Sequence, residues 1–157
     1  MKRTTDISDK LHPKVQYLEP IYCKYGLKIN FSGVISTIRC FEDNSLVREA
    51  VSSDGKGKVL VIDAGGSIRC AMLGDQLAKL AIENGWEGVI VYGMIRDSDI
   101  IEAMHIGIRA LGTHPLKSIK NGIGEKDVEV SFSGVSFVPG NYLYADMDGV
   151  IAVERKI

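Results

Sequence analysis

No run of lysine and arginine longer than a few residues occurs in this chain. The 19 basic residues are matched by 20 acidic ones, for a formal net charge of −1. Sequence-independent nucleic-acid binding needs clustered cations against phosphates, so direct binding of RNA or DNA is not expected. No apolar stretch exceeds the length of a strand, and none is expected to span a membrane. The opening MKRTTDISDKLHPKV lacks an apolar h-region, so no signal peptide is expected. Cysteine is scarce, at Cys23, Cys40 and Cys70, an odd number with no CxxC. A disulfide framework or zinc site is therefore not expected, and the reducing cytoplasm suits the chain.

What is present is ordinary globular material: 157 residues, 45% hydrophobic and 25% charged, enough for a single domain with a real core over 1–157. Residues 4–12 read as a short helix, and Tyr17 to Gly26, with Pro20 and several aromatics, as a loop packed on the body. Gly33 to Cys40 alternates apolar and polar residues as a strand does. Glu42 to Ser52 reads as an amphipathic helix with Leu46, Val47, Ala50 and Val51 on one side. Residues 59–64, VLVIDA, form a continuous apolar run that suits a strand buried on both faces.

A helix is expected from Asp75 to Asn84, with Leu77, Leu80 and Ala81 inward and Gln76, Lys79 and Glu83 outward. Gly85 suits the left-handed residue that ends a helix. Gly88 to Tyr92 reads as a second buried strand. A short helix from Asp97 to Met104 and a strand from Gly107 to Gly112 follow. Strand–helix alternation of this kind implies right-handed parallel crossovers. The C-terminal third changes character: Ser133-Gly134 reads as a hairpin turn, and Val150 to Glu154 as a final strand after a turn at Asp148-Gly149. This C-terminal sheet is expected to be antiparallel and to pack on the parallel layer.

The feature that carries chemistry is Asp75, twenty residues, then Arg96 and Asp97. A helix and the parallel strand after it run opposite ways, so the start of one lies near the end of the other. Two carboxylates and a guanidinium are thereby expected at the carboxyl edge of the sheet, where open α/β sheets bind ligands. A carboxylate with free oxygens suits a hard cation such as Mg²⁺. An arginine holds an oxyanion through two parallel hydrogen bonds, and the amides of Gly74 to Leu77 at a helix start are an anion site. Together they suit a 2-oxo acid and its enolate. Alternatively, Asp75 only caps a helix and Arg96 and Asp97 only form a loop ion pair; the spacing alone leaves both readings open.

Other motifs point less sharply. The GxGxxG and GxxxxGK[ST] phosphate loops are absent. VIDAGG loosely resembles the first motif of S-adenosylmethionine methyltransferases, but its glycine spacing is wrong. Gly65 and Gly66 are expected to let the backbone approach a neighbouring ligand or chain rather than to bind a nucleotide-type cofactor. His12, His105 and His114 form no HExxH and read as structural or surface residues, with His114 near enough a strand end to approach a pocket. Trp86 is expected between a helix and its strand, and Asp146 and Asp148 are expected to shape a turn.

CFEDN (40–44), VLVIDAGGSIR (59–69), LAKLAIENGWEGVIVYG (77–93), GIGEKDVEVSFSGVSFVPG (122–140) and YADMDGVI (144–151) resemble the family of the regulator of ribonuclease activity A, RraA. The resemblance covers nearly the whole chain and extends to class II 4-hydroxy-4-methyl-2-oxoglutarate aldolases. It implies an α/β, single-domain β/β/α "swivelling" fold with a central mixed sheet, assembled as a homotrimer. The family's namesake binds and inhibits ribonuclease E and lacks both aspartates of the motif, which the aldolases keep. By resemblance, Asp97 holds Mg²⁺ or Mn²⁺, Asp75 bonds a water of the metal, and Arg96 with the amides of Gly74, Asp75, Gln76 and Leu77 holds the pyruvyl group. The implied catalytic residues are Arg96 and Asp75. The implied reaction is cleavage of 4-hydroxy-4-methyl-2-oxoglutarate to two pyruvates, with oxaloacetate decarboxylation as a side activity through the same pyruvate enolate. The implied alternative is a non-catalytic protein that binds ribonuclease E. Longer aldolases supply a further acidic group from a neighbouring chain, and no residue of this sequence is assigned to it.

Overall fold

The computed structural model describes residues 1–157. In chain order the elements are α1 (Thr4–Leu11), β1 (Gln16–Tyr17), β2 (Cys23–Tyr25), β3 (Phe31–Arg39), α2 (Ser45–Val51), β4 (Lys58–Asp63), β5 (Ala71–Leu73) and α3 (Asp75–Glu83). They continue with β6 (Gly88–Ile95), α4 (Ser98–Glu102), β7 (Ile108–Thr113), β8 (Glu125–Lys126), β9 (Val130–Phe132), β10 (Val135–Phe137), β11 (Tyr142–Ala145) and β12 (Val150–Val153).

One ten-stranded mixed sheet runs β1-β12-β11-β3-β4-β6-β7-β2, with β5 added beside β6 and β8 beside β3. Its centre, β3-β4-β6-β7, is parallel, and α2, α3 and α4 lie in the crossovers. The continuous apolar run of β4 is explained by burial on both faces. Leu60 and Ile62 join the helix-side core with Val47, Val51, Leu77 and Ala81. Val59 and Val61 face the other way, against Phe132, Val135 and Phe137 of the β9–β10 hairpin. A third cluster seats Ile7 of α1 on Tyr142, Tyr144, Ile151 and Val153. The register pairs Tyr142 with Val34 and Tyr144 with Ser32, which puts α1 on the same face as the other helices. Hairpin, sheet and helices thus form three layers.

The hairpin turns at Ser133 (φ 47°) and Gly134 (φ 82°), both left-handed as a two-residue turn requires. Gly85 ends α3 with φ 79°. Trp86 is buried below α3, its indole N–H donating to Ser53 O at 3.1 Å.

Four expectations need correction. The 17–26 segment is not only loop: Cys23–Tyr25 pairs antiparallel with β7, because the outer edge of β7 otherwise exposes unpaired backbone groups. The second helix starts at Ser45, not Glu42. Glu42 is left-handed at φ 56°, and Asp43, just ahead of the Asn44 N-cap, accepts at its Oδ1 from the Ser45 N–H (2.9 Å) and hydroxyl (2.7 Å). The strand expected over 88–92 continues to Ile95, because β5 and β7 both pair with its last residues. Finally, β11 and β12 do not pack on the parallel layer: they extend the same sheet through β3, and only β9–β10 lies across it.

Candidate active site

The carboxyl ends of β5, β6 and β7 place the site. Strand β5 leads through Gly74 into α3, and β6 leads through Arg96 and Asp97 into α4. The Arg96 N–H donates to Leu73 O at 2.9 Å, so the parallel ladder continues to the arginine of the motif. Asp97 then breaks it: at φ 55°, ψ 37° it is left-handed and turns its carboxylate back toward α3. Such a conformation is uncommon outside glycine, although Asp tolerates it better than most residues.

The Asp97 Oδ2 accepts the Asp75 N–H at 3.2 Å and lies 3.8 Å from Arg96 Nε. Asp97 is thus both the last residue before α4 and the anchor for the amino end of α3. Gly74 is where the two segments press together. A Cβ there would stand 2.5 Å from Asp97 Oδ2 and 3.3 Å from Arg96 Cγ. Its φ of −126° is open to any residue, so the need for glycine is steric, not conformational.

Gly74, the Asp75 backbone N–H, Arg96 and Asp97 share one locus. Of the two carboxylates expected there, that of Asp97 is in place, whereas the Asp75 carboxylate makes no hydrogen bond or ion pair with Arg96 or Asp97, and Gly74, not Asp75, is the N-cap of α3. Gln76 follows on the exposed side of the first turn, whereas the Leu77 side chain is buried in the core and offers the site only its backbone. The first N–H of α3 to find a carbonyl within the fold is Ala78, bonded to Gly74 O at 3.0 Å. The amides of Gln76 and Leu77 thus stay unpaired, as they do at any helix start, and available to an anion.

Arg96 and Asp97 open onto a cleft of about 350 Å³ completed by Ser98, Asp99, Thr113, His114 and Pro115. Both motif side chains are partly exposed, at 39% and 32%, so solvent and a small ligand reach them. Arg96 Nη1 points at Pro115 O across 3.5 Å, a long contact that leaves the guanidinium donors largely free. Thr113, Ser98 and Asp99 were not singled out in the sequence. What marks them is position, since they flank the ends of the two neighbouring parallel strands.

The glycine turn is packed against aromatic rings. Gly65 and Gly66 are left-handed, at φ 66° and 69°, and a Cβ on them would strike the Phe41 ring at 2.7 Å and the Tyr92 ring at 2.9 Å respectively. Those glycines admit aromatic neighbours. Asp146 and Asp148 do shape a turn, with Asp148 N–H on Asp146 Oδ1 at 3.0 Å. Asp146 also clasps α1, taking the Thr4 N–H and hydroxyl at 2.8 Å each.

Comparison with known proteins places the fold in a family. A family model described as RraA-like, Aldolase/RraA, matches residues 4–152. A protein of Dechloromonas aromatica provisionally named 4-hydroxy-4-methyl-2-oxoglutarate aldolase is 57% identical over 159 residues, spanning 99% of this chain and 98% of its own. Among solved structures, the RNA-processing inhibitor RraA of Thermus thermophilis superposes with a TM-score of 0.97 at 42% identity, covering 100% of this chain and 95% of that one. A Geobacillus kaustophilus protein described as an S-adenosylmethionine:2-dimethylmenaquinone methyltransferase gives the same TM-score, 0.97, at 48% identity, covering 99% and 97%. With the α/β fold, the mixed sheet and the near-complete match in hand, the chain belongs to the RraA-like, Aldolase/RraA family.

Proposed function

We propose that this protein is a divalent-metal-dependent lyase that cleaves 4-hydroxy-4-methyl-2-oxoglutarate to pyruvate and also decarboxylates oxaloacetate, with residues 1–157 acting as one domain. The observation that carries the reading is the meeting of Arg96, Asp97 and the amino end of α3 across Gly74. The name of the Dechloromonas relative supports the same substrate.

The donors suit a hard cation. Asp97 Oδ2 is engaged by Asp75 N–H and Arg96, while Oδ1 has no partner in the chain. No three His, Cys, Asp or Glu side chains of the chain converge as a complete metal cage. One carboxylate with water and substrate oxygens is the usual provision for Mg²⁺. Asp97 would hold Mg²⁺ or Mn²⁺, with Asp75 beside it. Bound there, the cation supplies Lewis-acid polarisation of the 2-oxo oxygen.

The chain's own groups do the rest. The Gln76 and Leu77 amides and Arg96 hold the 2-oxo acid end. In the cleavage the C3–C4 bond breaks and the C4 hydroxyl gives up its proton, releasing one pyruvate. The remaining pyruvate enolate takes a proton at C3 and becomes the second. Arg96 offsets the negative charge that develops on that fragment. Oxaloacetate loses CO₂ to reach the same enolate.

Exposed Phe41, Ile68, Leu116, Ile119 and Ile123 lie on loops that follow the parallel strands; exposed apolar side chains there support self-association, in this reading as a homotrimer. Three free thiols suit work in the reducing cytoplasm, and no helix is long and apolar enough to cross a membrane.

Pyruvate release from both substrates, with Mg²⁺ and with EDTA, tests the reading. Metal-dependent release that is lost in Arg96→Ala and Asp97→Ala is the expected result; no release above the metal-only blank by the folded protein would overturn it. A second reading, favoured by the close superposition on the RNA-processing inhibitor of Thermus, is a regulator that binds ribonuclease E. Failure to bind that ribonuclease or slow its RNA cleavage would exclude it.

A further inference from the structure

We propose that His114 determines specificity in this site, donating its Nε2–H to the distal carboxylate of a dicarboxylic 2-oxo acid. The inference rests on the 2-oxo acid reading above.

His114 follows directly on β7. Its backbone N–H donates to Ile95 O at 2.9 Å, which pins it beside the residue that precedes Arg96. Its ring is held as well: Nδ1 accepts the Leu116 N–H at 3.1 Å. A ring nitrogen that accepts a hydrogen bond carries no proton, so the neutral imidazole keeps its hydrogen on Nε2. That N–H has no partner in the chain, and His114 lines the cleft shared by Arg96 and Asp97. The result is an oriented, uncharged donor with nothing in the protein to satisfy it.

The sheet order sets which end of a ligand it reads. Strands β5 and β7 flank the end of β6 on opposite sides. Neighbouring strands lie about 4.8 Å apart, so the amino end of α3 and the end of β7 stand roughly 10 Å from each other across Asp97. A ligand whose 2-oxo acid end sits on the α3 amides and Arg96 extends its far end toward His114. Asp99, also on the cleft, opposes a second carboxylate there, and the His114 donor offsets that opposition. A site built to hydrogen-bond one group rejects an analogue that lacks it, because its own polar atom is then left unpaired.

The test compares 2-oxoglutarate with 2-oxopentanoate, which differ only in the distal carboxylate and have no bond this chemistry cleaves. Dissociation constants are measured by calorimetry in saturating Mg²⁺, with melting curves for each variant. The wild type is expected to prefer 2-oxoglutarate by about tenfold, the worth of one charge-assisted hydrogen bond in a half-open cleft. His114→Ala should erase the preference and leave 2-oxopentanoate unchanged. His114→Gln, whose amide nitrogen reaches the position of Nε2, should restore it; His114→Asn, which reaches only the position of Nδ1, should not. If the alanine variant fails to fold, the Gln and Asn pair decides. A preference that survives in His114→Ala, an equal weakening of both ligands, or equal binding of both by the wild type overturns the His114 assignment alone. Failure of the wild type to bind either ligand overturns the 2-oxo acid reading, and this inference with it.

Discussion

The backbone N–H of Asp75 donates to the Oδ2 of Asp97 at 3.2 Å, although 22 positions separate them. One carboxylate thereby fixes where a helix starts and keeps its other oxygen for a ligand. Asp97→Asn and Asp97→Ala should separate these duties. Asn tolerates the left-handed backbone at Asp97, so Asp97→Asn should melt near the wild type while pyruvate release falls at least 10²-fold, on the order expected for loss of a key electrostatic group. Asp97→Ala should lose activity and about 1 kcal/mol of stability besides. Thermal melts with the pyruvate assay check both; an active Asp97→Asn would remove Asp97 from the metal.

Gly74→Ala is a steric probe of the same contact. The added methyl falls 2.5 Å from Asp97 Oδ2, so the carboxylate and Arg96 must move apart. A displacement of about 1 Å in a site costs roughly 10²-fold in rate. We expect that loss in kcat/KM with the fold intact, since the backbone there accommodates alanine. Wild-type kinetics from this variant would show that the two segments are not held rigidly.

Arg96→Lys should not rescue function. Lysine keeps the charge but loses the planar pair of donors that grips a carboxylate. Substrate KM should rise and kcat fall, approaching the values of Arg96→Ala. Steady-state kinetics on the two variants make the comparison.

Asp43 sets an acid limit on the site's neighbourhood. Its burial favours the neutral acid, but hydrogen bonds from the Ser45 hydroxyl and the Ser45, Asn121 and Ile123 amides overcome this and hold it at about 2, against an ordinary value of 3.8. A depressed folded-state value means stability that is complete above about pH 4 and lost as pH falls through about 2. The amount is on the order of 2 kcal/mol. Denaturant melts from pH 5 to pH 2 should show the loss in the wild type and a shallower dependence in Asp43→Asn.

Thiol chemistry should divide the three cysteines. Cys23 is exposed, and Cys40 and Cys70 are buried. Burial pushes the Cys40 thiol up to about 12, helped by Asp43, Asp63 and Cys70, and raises Cys70 as well. A thiolate is the reactive form, so an aromatic disulfide reagent should titrate one thiol rapidly in the native protein and three after unfolding.

Local order was legible wherever periodicity or a turn residue decided it. The stripe of Leu77 and Ala81 faces the core, and Gly85 ends the helix as its position suggests. The apolar run 59–64 is buried on both faces, and Ser133-Gly134 makes the hairpin. The spacing between Asp75 and Arg96 was also readable, because a helix and its following parallel strand must return the chain to the same edge. What the sequence left open was everything decided by a distant partner. Cys23–Tyr25 becomes a strand only because β7 has a free edge. Residues 93–95 stay extended because β5 and β7 bracket them. The C-terminal strands join the main sheet because β3 has an open side for β11. Likewise the chemistry-bearing residue types at 74–77 and 96–97, and His114 at a strand end near the pocket, are written in the chain, whereas the left-handed turn of Asp97 and the pressure of Gly74 on its carboxylate are not. Side-chain periodicity is a property of neighbours along the chain, while backbone pairing and close approach depend on segments that meet only when the sheet has formed.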